Sequence, residues 1–206
     1  MKYSPKIIAP VNSFEEIKIL HNAGANEFYG GYLPSYWEKK YSFLCSPSGR
    51  TFKEAHIIEF NNLKKIINYC KKNGLVFSLT LNAPLYLPEQ YPLLFKLIEE
   101  YTGAGGENII AADIGLILSL QEKQYPVILH LGTSGAVLNH FTAMFYKEMG
   151  IKRIVLERQL TVAEITEIVN CVTDVKFDVF ILIGKCPNIE GLCTFLHDSP
   201  DRNWHC

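Results

Sequence analysis

The chain carries almost no net charge. Twenty Lys and Arg stand against 21 Asp and Glu over 206 residues, a formal net of −1. Without an excess of one sign there is no long-range field to capture nucleic acid or an anionic membrane, although a local basic patch remains compatible with the composition. A long apolar run is lacking too. No stretch approaches the roughly 20 apolar residues of a membrane span. The opening "MKYSPKIIAPVNSFEE" reaches Pro10 and the paired Glu15 and Glu16 too soon for a secretory apolar region. The expectation is a cytoplasmic protein, in whose reducing surroundings cysteines hold metal or do chemistry more often than they pair. Three signatures are also missing. There is no GxGxxG after the first strand, where "APVNSFEE" stands, and no HExxH or GxSxG anywhere, which disfavours a dinucleotide fold and the common peptidase chemistries.

What is present is a regular alternation. Hydrophobic residues make up 48% of the chain, enough for a sizeable core. Short apolar runs at 6–11, 26–32, 75–84, 107–115, 126–134, 151–158 and 175–184 read as strands, and apolar on both alternating faces, as buried parallel strands are. Amphipathic stretches at 13–24, 60–74, 89–106, 116–124, 139–150 and 161–172 read as helices, the first with a capping box from Ser13 and Glu16 and the second closed by Gly74. A polar, aromatic-rich loop is expected over 33–56. Seven such β/α units point to an α/β protein of parallel strands, a (β/α) barrel left incomplete by one unit, built as a single domain over 1–206.

In such a fold the chemistry sits where strands end and loops begin. Those ends carry Tyr29 with Gly30 and Gly31, Asn82, Asp113, His130 with Thr133 and Ser134, and Glu157 with Arg158. Asn82, Asp113, His130 and Arg158 are the candidate catalytic residues. The competing reading is plain helix capping, for which Ser13, Ser134 and Thr161 are well placed.

Six cysteines are present, three of them within the last 21 residues. Cys70 and Cys171 fall on predicted helices among apolar neighbours and read as small buried hydrophobes. Cys186, Cys193 and Cys206 follow the last strand in a loop over 184–206 rich in Pro, Asn, Asp and Gly, and Cys45 lies in a loop on the same predicted face. These four are the candidate metal ligands. Four thiolates suit a four-iron four-sulfur cluster or a structural zinc, and the absence of tight C-x2-4-C knuckles favours iron and sulfur. Free thiols, or a nucleophilic cysteine paired with His130, His197 or His205, remain alternatives.

"AGANEFYGGY" (23–32) and "LHLGTSGAVLNHFTAMFYKEMGIKRIVLERQLTVAEITEI" (129–168) resemble segments of the collagenase-like "peptidase U" family, number thirty-two of the unassigned peptidases. The pattern "CTFLHDSPDRNWHC" from Cys193 to Cys206 resembles the UbiV-like iron–sulfur branch. The resemblance implies a β/α-barrel-like protein of oxygen-independent hydroxylation, holding a 4Fe-4S cluster on Cys45, Cys193 and Cys206, with Cys186 standing in for the fourth ligand of the UbiV-like pattern, since another branch of the family has a C-x6-C pair that matches Cys186 and Cys193. It further implies a second family member as heterodimer partner and a prephenate-like oxygen donor, for whose carboxylate Arg158 is suited; an ion pair of Arg158 with Glu157 or another acidic neighbour is the alternative. Ubiquinone precursor, RNA base and peptide are all open as substrates, RNA being least favoured by the charge, and a scaffolding subunit is the alternative to an enzyme. One departure stands inside the motif: the family's R-E-L is here Arg158-Gln159-Leu160.

Overall fold

The computed structural model describes residues 5–182, 186 and 188–193. Its contacts gather into two compact units, residues 1–81 with 89–109 and residues 82–88 with 110–206, and each is described by itself.

The first unit holds β1 (Ile8–Pro10), α1 (Phe14–Asn22), β2 (Glu27–Tyr32), α2 (Ser35–Tyr41), β3 (His56–Ile57), α3 (Phe60–Lys72), β4 (Val76–Leu81) and α4 (Tyr91–Gly103). β1 and β4 flank β2 in parallel, with Ala9 opposite Phe28 and Phe28 opposite Phe77. The parallel register requires a return through a helix each time, and the sequence supplies one. On α3 the buried Leu63, Ile66, Ile67 and Cys70 recur at the i, i+3, i+4, i+7 spacing that puts them on one face. Leu94, Leu97, Ile98 and Tyr101 repeat that spacing on α4. Gly74 ends α3 at φ 65°, a left-handed turn that only glycine adopts without strain.

Two features of this unit depart from the expected loop over 33–56. That stretch contains α2 and the two-residue β3, which pairs with the end of β2 through Gly31 and His56. Trp37 explains the order: its ring is fully buried, and its Nε1 donates to the carbonyl of Cys45 at 2.8 Å. A segment polar in composition is thus pinned by one large aromatic, which hydrophobic periodicity cannot register. The capping box at α1 also differs. Ser13 accepts from the amide of Glu16, but the Glu16 carboxylate accepts from the amide of Asn12, one residue earlier than the box requires.

β5 (Asn108–Ala111) contributes its first half to one unit and its second to the other. The second unit continues with α5 (Ile114–Glu122), β6 (Ile128–Leu131), α6 (His140–Glu148), β7 (Arg153–Val155), α7 (Val162–Cys171) and β8 (Lys176–Asp178). The strand order is β1-β2-β4-β5 in the first unit and β5-β6-β7-β8 in the second, the order of an incomplete (β/α) barrel. Thr161 caps α7 with a full capping box completed by Glu164, and Asn139, not Ser134, caps α6.

The last strand is shorter than its apolar run. β8 stops at Asp178, whose carboxylate accepts from Arg153 at 2.7 Å. The expected strand 175–184 therefore does not extend through 179–182, and positions 183 and 184 lie outside the described residues: Ile181 and Leu182 are 86% and 92% exposed, and a strand persists only where a neighbour offers a ladder. Cys171 is a second correction. It is exposed at the end of α7, whereas Cys70 is buried as expected and its thiol is pushed up to about 12 by burial.

Tyr101 offers a test of the first unit's packing. Its hydroxyl lies 3.0 Å from the carbonyl of Phe77 and 2.9 Å from that of Asn108, serving as donor to this pair beyond the ladder. Tyr101→Phe should cost about 1–2 kcal/mol, since it strands a buried acceptor without making a large cavity. Thermal unfolding should show the loss as a lower Tm; an unchanged Tm would show that the hydroxyl contributes nothing.

Candidate functional site

In the first unit, the ends of β1, β2 and β4 surround a cavity of about 120 Å³ lined by Val11, Asn12, Tyr29, Gly30, Arg50 and Thr80, among others. Gly30 is required there, because a Cβ would stand 2.4 Å from the carbonyl oxygen of Val11. Gly31 makes room for Ser48, whose hydroxyl meets His56 Nε2 at 2.8 Å. His56 Nδ1 donates to the carbonyl of Phe52 at 2.8 Å, which leaves Nε2 as the acceptor for Ser48. Burial keeps this imidazole neutral by lowering its pKa, so the pair braces the loop. Cys45 lies just before these residues, exposed, its backbone held by Trp37.

The second unit brings together several of the other candidates. Asn82 donates to Ser134 Oγ at 3.2 Å, and its own Oδ1 is buried without a partner. Gly132 admits it, since a Cβ there would lie 1.8 Å from that oxygen. Asp113 is an N-cap: one carboxylate oxygen accepts from the amide of Leu116 at 2.6 Å and the other from that of Tyr86 at 3.1 Å. Both oxygens hold backbone, a geometry that serves structure first. His130 is buried on β6 with its pKa pushed down to about 4, chiefly by burial and then by Arg153 and Lys176, so it is neutral at physiological pH.

Beyond β7 lies a cluster of polar side chains from Glu157 to Gln159 and Glu190. Arg158 pairs with Glu190 at 3.0 Å, while its Nε is buried without a partner. The ion-pair partner of Arg158 is therefore Glu190, and the Arg158 charge only partly offsets the burial of the adjoining Glu157. Glu157 is 2% exposed, neither of its oxygens has a hydrogen-bond partner, and burial with the nearby Glu190 pushes its pKa up to about 7. Sequence reading placed Glu157 at a strand end and gave it no role beyond an ion pair with Arg158; the signal was a carboxylate directly after the apolar Ile154–Leu156 run.

Onto this cluster folds the segment holding Cys186 and Cys193. Both are free, part-exposed thiols. Gln159 Nε2 donates to the carbonyls of Cys186 and Asn188, and the Glu190 carboxylate accepts from Thr133 Oγ1. The amide at position 159 thus makes bonds a carboxylate could not donate. Among the described residues no group of three His, Cys, Asp or Glu side chains is disposed to hold a metal ion. Cys45 belongs to the first unit, and Cys206 lies outside the described residues. Thiols are the donor type that an iron–sulfur cluster takes, and in the second unit Cys186 and Cys193 lie on one segment.

A β/α protein of parallel strands with a two-cysteine segment seated on its strand ends is the class that fold and site define. The model of peptidase family U32 matches residues 12–203, and the chain belongs to that family. It is 31% identical over 193 residues to the tRNA hydroxylation protein P of Helicobacter pylori (strain J99), covering 91% of this chain and 41% of that protein. It is 24% identical over 193 residues to the protein of the same name in Escherichia coli K12, covering 93% and 39%. The 23S rRNA 5-hydroxycytidine C2501 synthase of Escherichia coli K12 is 28% identical over 146 residues, 69% of this chain and 22% of that one. The solved structure of the U32 peptidase Mk0906 superposes with a TM-score of 0.65 at 14% identity, covering 87% of this chain and 70% of its own. The chain thus spans about two fifths of the length of the tRNA hydroxylation relatives it matches. No helix among the described residues is long and apolar enough to cross a membrane.

The buried Glu157 predicts a pH dependence. In the folded chain its carboxyl keeps its proton to about 7, while in the unfolded chain it ionises near 4.5. Between those values the folded state binds more protons, so its stability falls as pH rises through that window and levels off above it. Glu157→Gln should raise Tm at pH 8 by about 3 °C, the range that 1 kcal/mol produces in a chain of this size, and should leave it unchanged at pH 4. A variant no more stable than the parent at pH 8 would show that the carboxylate finds a partner.

Proposed function

We propose that this chain takes part in oxygen-independent hydroxylation of RNA, with a four-iron four-sulfur cluster on Cys45, Cys186, Cys193 and Cys206. The observation that carries the reading is the seating of Cys186 and Cys193 on the polar cluster at the end of β7, in a chain whose relatives are named for tRNA and rRNA hydroxylation. Such a cluster, when bound, supplies one-electron chemistry. The chain's own residues supply binding and protons. Arg158 presents its unpartnered Nε as a donor, though Glu190 offsets its charge and weakens it as a receptor for a free carboxylate. The Glu157 carboxyl, raised to about 7 by burial and by Glu190, can take up or release a proton near neutral pH. His130, neutral and buried, adds no charge at its strand end.

RNA moves ahead of the other substrate classes on the relatives' names, despite the near-neutral charge. Binding to RNA would then rest on local groups such as Arg50 and Arg158 and show a shallow salt dependence. The test is nucleoside mass spectrometry of tRNA and rRNA from anaerobically grown cells that carry the chain or its Cys193→Ala variant in a background lacking hydroxylated nucleosides. The chain should restore a nucleoside bearing one added oxygen, and Cys193→Ala should abolish it. Equal nucleoside profiles with the chain, the variant and the empty background would refute an RNA-hydroxylating role.

A further inference from the structure

We propose that Glu190 is the latch that seats the Cys186–Cys193 segment on the ends of β6 and β7. It is a positioning residue for the two thiols. One oxygen of its carboxylate accepts from both Thr133 Oγ1, beyond β6, and Arg158 Nη2 at 3.0 Å, beyond β7. Two strand ends are thereby tied to one point of the segment.

Packing alone does not account for this seating. None of the described residues between 186 and 193 is buried, and Leu192, the large apolar side chain beside the latch, is 71% exposed. With so little apolar surface removed from water, the hydrophobic contribution here is small, and directional polar contacts must decide the position. Those contacts are few and convergent. Gln159 Nε2 reaches the carbonyls of Cys186 and Asn188 from the β7 side. Gly191 lets the backbone come against Ser134, where a Cβ would stand 2.2 Å from the Ser134 carbonyl oxygen. Glu190 alone among these touches both strand ends, and it is the only charged member of the segment among the described residues. A hydrogen bond to an ionised acceptor is stronger than one between neutral groups, so Glu190 contributes most per contact. Opposing it is the buried Glu157, and the repulsion between the two carboxyls helps raise the Glu157 pKa.

The assignment rests on the proposed role of Cys186 and Cys193 as ligands only for its consequence, not for its geometry. Two readouts on the full-length chain separate the two. The first is the rate at which a thiol reagent labels Cys186 and Cys193 in the metal-free protein, resolved by peptide mass spectrometry, with Cys70 as the buried control. The second is the iron and sulfide retained after anaerobic incubation with ferrous iron and sulfide. Glu190→Ala should label at least tenfold faster at both cysteines with Cys70 unchanged, and should retain several-fold less iron and sulfide. Glu190→Gln, which keeps an oxygen for Thr133, should recover most of both, an outcome that loss of bulk stability would not give. Labelling of Glu190→Ala at the parent's rate would overturn the latch, even if the parent loads fully. Faster labelling in a chain whose parent takes up no iron and sulfide would uphold the latch and refute the cluster.

Discussion

In a parallel pair every strand must be entered from the same end, so the chain returns through a helix and all the strand exits of a unit fall on one edge. That constraint organises everything functional in this molecule. In the first unit it gathers Val11, Tyr29, Gly30 and Thr80 around one cavity. In the second it sets Thr133 after β6 and the Glu157–Gln159 run after β7 close enough for a single segment to touch both. Each side chain there follows within a few residues of a strand fixed by the ladder, which is why so few contacts suffice to seat the cysteines.

The same constraint explains what could be read from residues alone. Parallel strands buried on both faces leave unbroken apolar runs, and all seven were legible from "KIIAPV" to the start of "VKFDVF". The helices showed in their spacing, most clearly at Leu63, Ile66, Ile67 and Cys70. α2 did not, because it is anchored by Trp37 and not by a periodic face, and a lone aromatic in a polar stretch carries no period. The overrun at β8 arose from the opposite cause. Residues 179–182 have the composition of a strand, but composition says nothing of whether a neighbour is there to pair. Cys171 misled similarly: its apolar surroundings in sequence are not its surroundings in space.

The candidate site was legible as a set of strand ends and less so as a division of labour. Asp113, read as a catalytic carboxylate, also accepts from the amides of Leu116 and Tyr86. Glu157, read only as an ion-pair partner for Arg158, is instead a buried carboxyl raised to about 7, and Arg158 pairs with Glu190. The difference lies in hydrogen bonds made to backbone far along the chain, which residue type cannot foretell. The substitution of Gln159 for the family's glutamate looked like the loss of a charge. In the fold it is the gain of a donor, and that donor holds the cysteine segment.

Burial and charge at this site have a common logic. Arg158 is paired with Glu190 on the cysteine segment, and burial raises the Glu157 carboxyl to about 7, so the charge at this end of β7 is largely offset. Such surroundings suit a group that changes its charge by one electron without large solvent rearrangement. The most direct measurement is anaerobic reconstitution of the full chain with iron and sulfide, followed by the absorption spectrum and by iron and sulfide analysis of the chain and of Cys193→Ala. Four irons and four sulfides per chain, with an iron–sulfur chromophore that Cys193→Ala loses, is the result this account predicts. A colourless parent, or a chromophore indifferent to Cys193, would contradict it.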